Sequence, residues 1–373
     1  MTATVLIAPD KFKGTLSAKA VASALNAGVS LTAHVREIPL ADGGEGSIEA
    51  ISVAGFHLHE LNSSVSSSFT QPATIASKDG VFFIEAAEFV GNRQMKGKLD
   101  PLGVSTFTIG HAARAALDLG AHTIVLGVGG TYGTDGGVGF LMGLGAKFLA
   151  ETSVAIPFGG GGLSILASAD FSGLDPRLAD AKIILASDVD SPLLGETGAA
   201  HLFSPQKGAD PRQVEFLEQG LSHLVNVLGT NTKYWAKKSR VAKTSPGAGA
   251  GGGLGFAVLL IGGTRVSGAE FILDLLEIDE ALLGCDLVIT GEGRLDQQSL
   301  AGKLPVAIAN RARRLKIPVI AVVGSSGLSA DETKRAGISK VFALDQMDAR
   351  CAHDPALSLQ LLTQIGESIG RSL

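Results

Sequence analysis

The 373 residues carry a formal charge of −5 with no run of like charge, so the basic face that a duplex nucleic acid demands is missing. No apolar run reaches the length of a membrane span, the N-terminus lacks the charged and apolar regions of a signal peptide, and two isolated cysteines make neither a disulfide framework nor a cysteine-based zinc site. These bounds point to a cytoplasmic protein without nucleic-acid or membrane partners, while 49 glycines clustered beside apolar runs suggest backbone shaped to approach a ligand.

In chain order, Val5–Ala8 reads as a strand stopped by Pro9-Asp10, followed by Lys11, Lys13 and Gly14 in a loop. Ser17 is a suitable N-cap for a helix from Ala18 towards Ala27, with Leu16 and Val21 at the spacing of a hydrophobic staple. Val35–Leu40 is a second strand running into Ala41-Asp42-Gly43-Gly44-Glu45-Gly46. Val81–Ile84 with Glu85, Ile124–Val128 and Ile183–Ala186 are further strands, the last delivering Ser187, Asp188 and Asp190. Helices are expected over 112–119, 140–149 and 214–228, a polar surface excursion over 230–245, and an apolar helix beginning within the glycine cluster 247–255. Leu287–Ile289 has the branched apolar character of a strand buried on both faces, and Thr290-Gly291-Glu292-Gly293-Arg294-Leu295-Asp296 follows it. A helix over 306–315, strands at 319–323 and 341–344, and a terminal helix complete the chain. Strands alternating with helices mean an α/β protein with a mostly parallel sheet.

Strand ends repeatedly deliver the same inventory. Asp10, Asp42, Glu45, Asp135, Asp188, Asp190, Glu292 and Asp296 supply carboxylates; Lys13, Lys207, Arg294 and Lys303 supply cations. Glycines such as Gly43, Gly44, Gly129, Gly130, Gly252, Gly253 and Gly291 offer bare main-chain amides. Phosphoryl transfer uses this set: amides hold phosphate oxygens, carboxylates such as Asp42, Asp188, Asp190, Glu292 and Asp296 hold Mg2+, and a cation offsets charge at the transferring group. Each such residue, taken singly, is equally well a cap, a turn residue or a surface charge, so the weight lies in recurrence at strand ends.

Other chemistries fit less well. No P-loop pattern occurs. Gly247, Gly249 and Gly252 satisfy Gly-x-Gly-x-x-Gly, but Lys243-Thr244-Ser245-Pro246 is a poor strand to precede a dinucleotide turn. His57 and His59 share a strand face without a third ligand, and Ser187 and Ser204 lack a nucleophile elbow. Cys285 reads as packing.

The ordered set Ile7-Ala8-Pro9-Asp10 with Lys13-Gly14, Ala41–Gly46, Asp135-Gly136-Gly137, Asp188-Val189, Pro205-Gln206-Lys207-Gly208-Ala209, Gly249–Gly255 and Leu287–Arg294 with Gly302-Lys303 resembles the two-domain bacterial glycerate kinases. The resemblance spans nearly the whole chain. It implies ATP- and Mg2+-dependent phosphorylation of D-glycerate, usually on the 2-hydroxyl, and a flavodoxin-like open-sheet domain from both chain ends with an inserted α/β domain and a site in the cleft between them. Expected boundaries are 1–58, 103–147 and 282–373 for the first domain and 59–102 and 148–281 for the second, compatible with a homo-oligomer. Within it, Asp10, Lys13, Glu292 and the named glycines are expected at the nucleotide. Arg294, Lys303 and Lys207 are expected at phosphates or substrate carboxylate, and Asp188 is expected to act as the base. Alternatives are a kinase for a related hydroxy acid, phosphorylation of the 3-hydroxyl, a nucleotide-binding sensor without activity, and an NAD(P)-dependent oxidoreductase.

The chain departs from the family pattern at Tyr132, Thr134, His111, Ser187 and Ser191. A pocket built on hydrogen bonds discriminates strongly, so such exchanges are where a change of acceptor would arise.

Overall fold

The computed structural model describes residues 2–62, 71–91 and 99–373; within the expected inserted segment 59–102, residues 63–70 and 92–98 lie outside the described residues. The chain forms two compact units, one of Met1–Asp42, Glu49–Ala54 and Ala269–Leu373, the other of Gly43–Ile48 and Gly55–Gly268.

In the first unit a five-stranded sheet runs Lys340–Ala343, Val319–Val323, Leu287–Gly291, Thr4–Pro9, His34–Glu37, with every neighbour parallel. Leaving aside the two-residue strands, this is the order 5-4-3-1-2 in the unit's own sequence, the doubly wound order of flavodoxin-like sheets. The central strands are apolar runs because helices cover both faces: Val5, Leu6, Ile7, Val288 and Ile289 are all fully buried. Ser17 caps the helix Ala18–Val29 through the Ala20 N–H. That helix crosses Pro355–Gly370 closely, since a Cβ on Gly28 would stand 2.4 Å from the Glu367 nitrogen and one on Gly366 2.4 Å from the Leu25 carbonyl oxygen.

The second unit holds a six-stranded sheet in the order Thr264–Val266, Lys182–Ala186, Thr123–Gly127, Val81–Glu85, Ala73–Lys78, His57–Leu61. The first four strands are parallel and the last two pair antiparallel. Phe140, Phe148 and Phe256 anchor its core, each fully buried.

Several expectations are corrected. Segment 103–147, expected in the flavodoxin-like sheet, belongs to the second unit, because Thr123–Gly127 pairs with Val81–Glu85 and Lys182–Ala186. Residues 43–48 also belong there, whereas 269–281 belong to the first unit. The helix expected over 140–149 is Val138–Gly143, and Lys147–Leu149 is a strand paired with Ser168–Asp170; Gly145, at φ 106°, turns the chain between them. The expected excursion 230–245 contains the helix Lys233–Ala242, capped by Thr232 and seated through Trp235, which stacks on Phe171 at 4.0 Å. The element directly before Gly247 is the helix Lys233–Ala242 rather than a strand, so the dinucleotide reading of Gly247, Gly249 and Gly252 loses its structural context.

Candidate active site

In the first unit the strands Thr4–Pro9 and Leu287–Gly291 lie side by side where the sheet order reverses, and ligands of open α/β sheets bind beyond the carboxyl ends at that point. Asp10 and Glu292 are the residues that directly follow these two ends. The Asp10 N–H donates to the Gly291 carbonyl at 2.8 Å, tying the ends together. The segment 38–40 continues beside the first strand, with Ile38 N–H on Ile7 and Leu40 N–H on Pro9 carbonyls, and so brings Asp42 to the same edge. Gly291 is needed because a Cβ there would meet the Val322 carbonyl oxygen at 2.0 Å.

Three carboxylates thus share a poorly solvated edge. Burial, then the charge of Asp42, pushes the Asp10 carboxyl up to about 7, although the Lys11 ammonium and N–H oppose the shift. Burial pushes Glu292 up to about 7 as well, with Asp296 and Asp42 adding to the rise and Ser299 and Lys303 opposing it. Oε1 of Glu292 is buried with no hydrogen-bond partner among the described residues. Asp296 is held by the Gln298 N–H at 2.9 Å and lies 3.5 Å from the exposed Arg294 guanidinium. Lys303, at the N-cap of helix Leu304–Arg314, reaches Gln298 at 3.4 Å, and Lys13 is exposed.

An all-oxygen set with a mutual charge penalty and an orphaned carboxylate oxygen fits a hard divalent cation. Among the described residues no three acidic, His or Cys side chains are gathered tightly enough to chelate a metal alone.

The second unit holds the remaining expected residues, and there the structure gives several of them internal partners. Asp188 Oδ1 accepts the Ser267 hydroxyl at 2.6 Å and the Gly268 N–H at 2.9 Å. The exposed Asp190 pairs with Arg265 at 2.8 Å. Lys207 is buried, its ammonium donating to the Gly133 carbonyl at 2.5 Å and lying 3.3 Å from the Thr134 hydroxyl; burial lowers its pKa to about 7. The glycine clusters receive protein backbone. A Cβ on Gly129 would stand 2.8 Å from Gly44 Cα, one on Gly252 1.9 Å from the Gly133 oxygen, and one on Gly253 2.5 Å from Gly136 Cα. Gly43, at φ 84°, lies against Ala186, while Gly130 is exposed.

Two buried acids are held by the fold itself: Asp135, counted in the sequence among the strand-end carboxylates, and Glu85, which received no role there. Asp135 organises the 129–139 turn, accepting from Thr106 N–H and hydroxyl and from the Gly137 and Gly139 N–H groups, and burial raises its pKa. Glu85 grips Gly46 and Ile48. Its signal was available: an acid ending a fully apolar strand run.

The sequence pattern of the glycerate kinase family matches residues 5–373. The chain belongs to the glycerate kinase family. This glycerate kinase family member is 39% identical over 349 residues to the Escherichia coli (strain K12) protein named glycerate 2-kinase, covering 91% of this chain and 90% of that one. A Halalkalibacterium halodurans glycerate kinase is 36% identical over 349 residues with the same coverage. A crystal structure from Salmonella typhimurium LT2, named for glycerate kinase 2, superposes with a TM-score of 0.75 at 33% identity over 100% of both chains. Membership makes the protein an enzyme, a phosphotransferase with an alcohol acceptor and ATP as donor.

Proposed function

We propose that this kinase transfers the terminal phosphoryl group of ATP to the 2-hydroxyl of D-glycerate with the help of Mg2+. The observation that carries the reading is the Asp10, Asp42 and Glu292 edge at the sheet's switch point, supported by the 39% identity to a relative named glycerate 2-kinase. Asp42 and Glu292 would hold Mg2+, with Asp10 and Asp296 beside them, and the cation would supply charge neutralisation at the phosphates. Lys11 is paired with Asp10, and Lys13, Arg294 and Lys303, also close in sequence to these acids, serve the phosphates and the substrate carboxylate.

Asp188, expected as the base, accepts the Ser267 hydroxyl and the Gly268 N–H at Oδ1, a part in holding the 267–268 turn. The departure at Thr134 supports no change of acceptor, since that hydroxyl faces the Lys207 ammonium. His111 packs on Phe107 with ring centroids 4.3 Å apart.

Incubation of the pure protein with Mg-ATP and D-glycerate, followed by phosphorus NMR, tests the reading. A 2-phosphoglycerate signal is expected. The 3-phospho isomer would overturn the regiochemistry, and thermal stabilisation by NAD(P) with none by Mg-ATP would overturn the kinase reading.

A further inference from the structure

In the first unit the neighbouring parallel strands Leu287–Gly291 and Val319–Val323 do not part company at their carboxyl ends. Their continuations pair again in parallel register, Arg294 with Ser325 and Leu295 with Ser326. Close backbone makes this ribbon possible. The Gly324 N–H donates to the Glu292 carbonyl at 3.2 Å and the Ser325 N–H to the Gly293 carbonyl at 3.1 Å, and a Cβ on Gly324 would stand 2.5 Å from that Gly293 oxygen. Gly293 in turn lies against the loop after the first strand, where a Cβ would meet the Lys13 nitrogen at 3.2 Å. The ribbon therefore stands at the same sheet edge as Asp10 and Glu292.

Residues paired across parallel strands present their side chains to one face, and their successors to the other. Leu295 is fully buried, so it and Ser326 take the inner face, and Arg294 and Ser325 share the outer one. The Arg294 side chain is 73% exposed, and its one ion pair among the described residues is with Asp296 at 3.5 Å. Ser325 is half-buried, yet its hydroxyl makes no hydrogen bond to any described residue. The other serines of this unit that are not exposed, Ser52, Ser299, Ser326 and Ser358, each have a partner. Ser325 is thus a spare donor beside a spare cation.

A hydroxyl donor next to a guanidinium recognises an anionic oxygen group. Asp296 offsets part of the Arg294 charge, so the pair suits a single carboxylate better than a triphosphate. We propose that Arg294 and Ser325 bind the carboxylate of the acceptor, and that Ser325 is a specificity-determining residue favouring hydroxy acids over uncharged alcohols. The proposal rests on the reading of the protein as a D-glycerate kinase with its site at this edge.

The test is steady-state kinetics with D-glycerate and Mg-ATP, each varied while the other is saturating. The Ser325 hydroxyl holds no protein group, so Ser325→Ala should keep the wild-type Tm and kcat. Its KM for D-glycerate should rise ~10-fold or more, the cost of one hydrogen bond to a charged group. Arg294→Gln should raise the same KM further, and Ser325→Thr, which retains the hydroxyl, should return it towards wild type. Ser326→Ala, on the inner face, should leave it unchanged, and the KM for Mg-ATP should not move in any of these variants. With D-glyceramide, whose neutral amide replaces the carboxylate, wild type should be a poor catalyst and the losses in Ser325→Ala and Arg294→Gln should shrink. An unchanged KM for D-glycerate in Ser325→Ala, a rise in the KM for Mg-ATP in its place, an equal rise in Ser326→Ala, or a fall in Tm for Ser325→Ala overturns the proposal alone. Wild-type protein that forms no phosphoglycerate from D-glycerate overturns the reading beneath it.

Discussion

Glu292→Gln should make the ligand-free protein more stable while abolishing its response to divalent cations. The Glu292 carboxyl titrates near its ordinary 4.5 when the chain is unfolded and at about 7 when folded, chiefly because it is buried. Between those values the folded state holds the extra proton, so stability falls as pH rises from about 4.5 through 7, and the full penalty is present above 7. A rise of roughly 2.5 pH units corresponds to about 3 kcal/mol. Asp10 and Glu292 feel a common neighbour in Asp42, so the pH window is firmer than its division between them. For a unit of this size, 1 kcal/mol moves Tm by about 2–4 °C. Melts at pH 5 should show wild type and variant nearly equal, and melts at pH 8 the variant several degrees higher. Saturating Mg2+ with ATP should raise the wild-type Tm at pH 8 and leave the variant nearly unmoved. A variant that melts below wild type at pH 8, or one that keeps the wild-type slope between pH 5 and 8, would refute the account of Glu292 as a destabilised carboxylate awaiting a cation.

Asp10→Asn should act in the same sense on stability, removing a second buried charge at pH 8, and should lower kcat/KM for D-glycerate by at least ~100-fold in a coupled ATP-consumption assay. The depressed Lys207 ammonium works with the opposite slope: its unfolded value is 10.5 and its folded value about 7. The unfolded chain therefore binds the extra proton in that window, and wild-type stability should rise with pH from 7 towards 10. Lys207→Met should flatten this rise in denaturant titrations, while the orphaned Gly133 carbonyl costs about 1–3 kcal/mol. Gly252→Ala should destabilise by about 3 kcal/mol or more, since its φ is 69° and a methyl would meet the Gly133 oxygen. Gly229→Ala, with open space at the same atom, should be neutral or slightly stabilising.

The strands were legible because parallel central strands are buried on both faces and so read as unbroken apolar runs; Val5–Ala8, Ile183–Ala186 and Leu287–Ile289 needed no partner to be recognised. Their ends were legible too, since Asp10 and Glu292 each directly follow one. Sheet membership was not. Thr123–Gly127 has the same apolar character as Thr4–Pro9, and nothing local in either says which neighbours it will pair with; the crossover segments decide that. This is why 103–147 was expected in the first unit. Helix Lys233–Ala242 was hidden for a different reason: it buries mainly the small residues Ser239 and Ala242, with Trp235 half-buried, so its apolar stripe is thin.

Glycine is the residue whose meaning the sequence left most open. A missing side chain leaves room for any close neighbour, and phosphate oxygens and peptide carbonyls are both well suited to the space. Gly43, Gly129, Gly252 and Gly253 take the second option, admitting backbone at distances no Cβ could tolerate or accept without displacement. Acids differ, because a buried carboxylate must be answered by donors or by a cation. Asp135 and Glu85 are answered by main-chain amides. Asp10 and Glu292 face other carboxylates, and Glu292 keeps an oxygen without a donor among the described residues. Internal demand is met at the first pair and only in part at the second, where Asp10 accepts the Lys11 N–H and Glu292 keeps one bare oxygen, and it is this remainder that the proposed Mg2+ would answer.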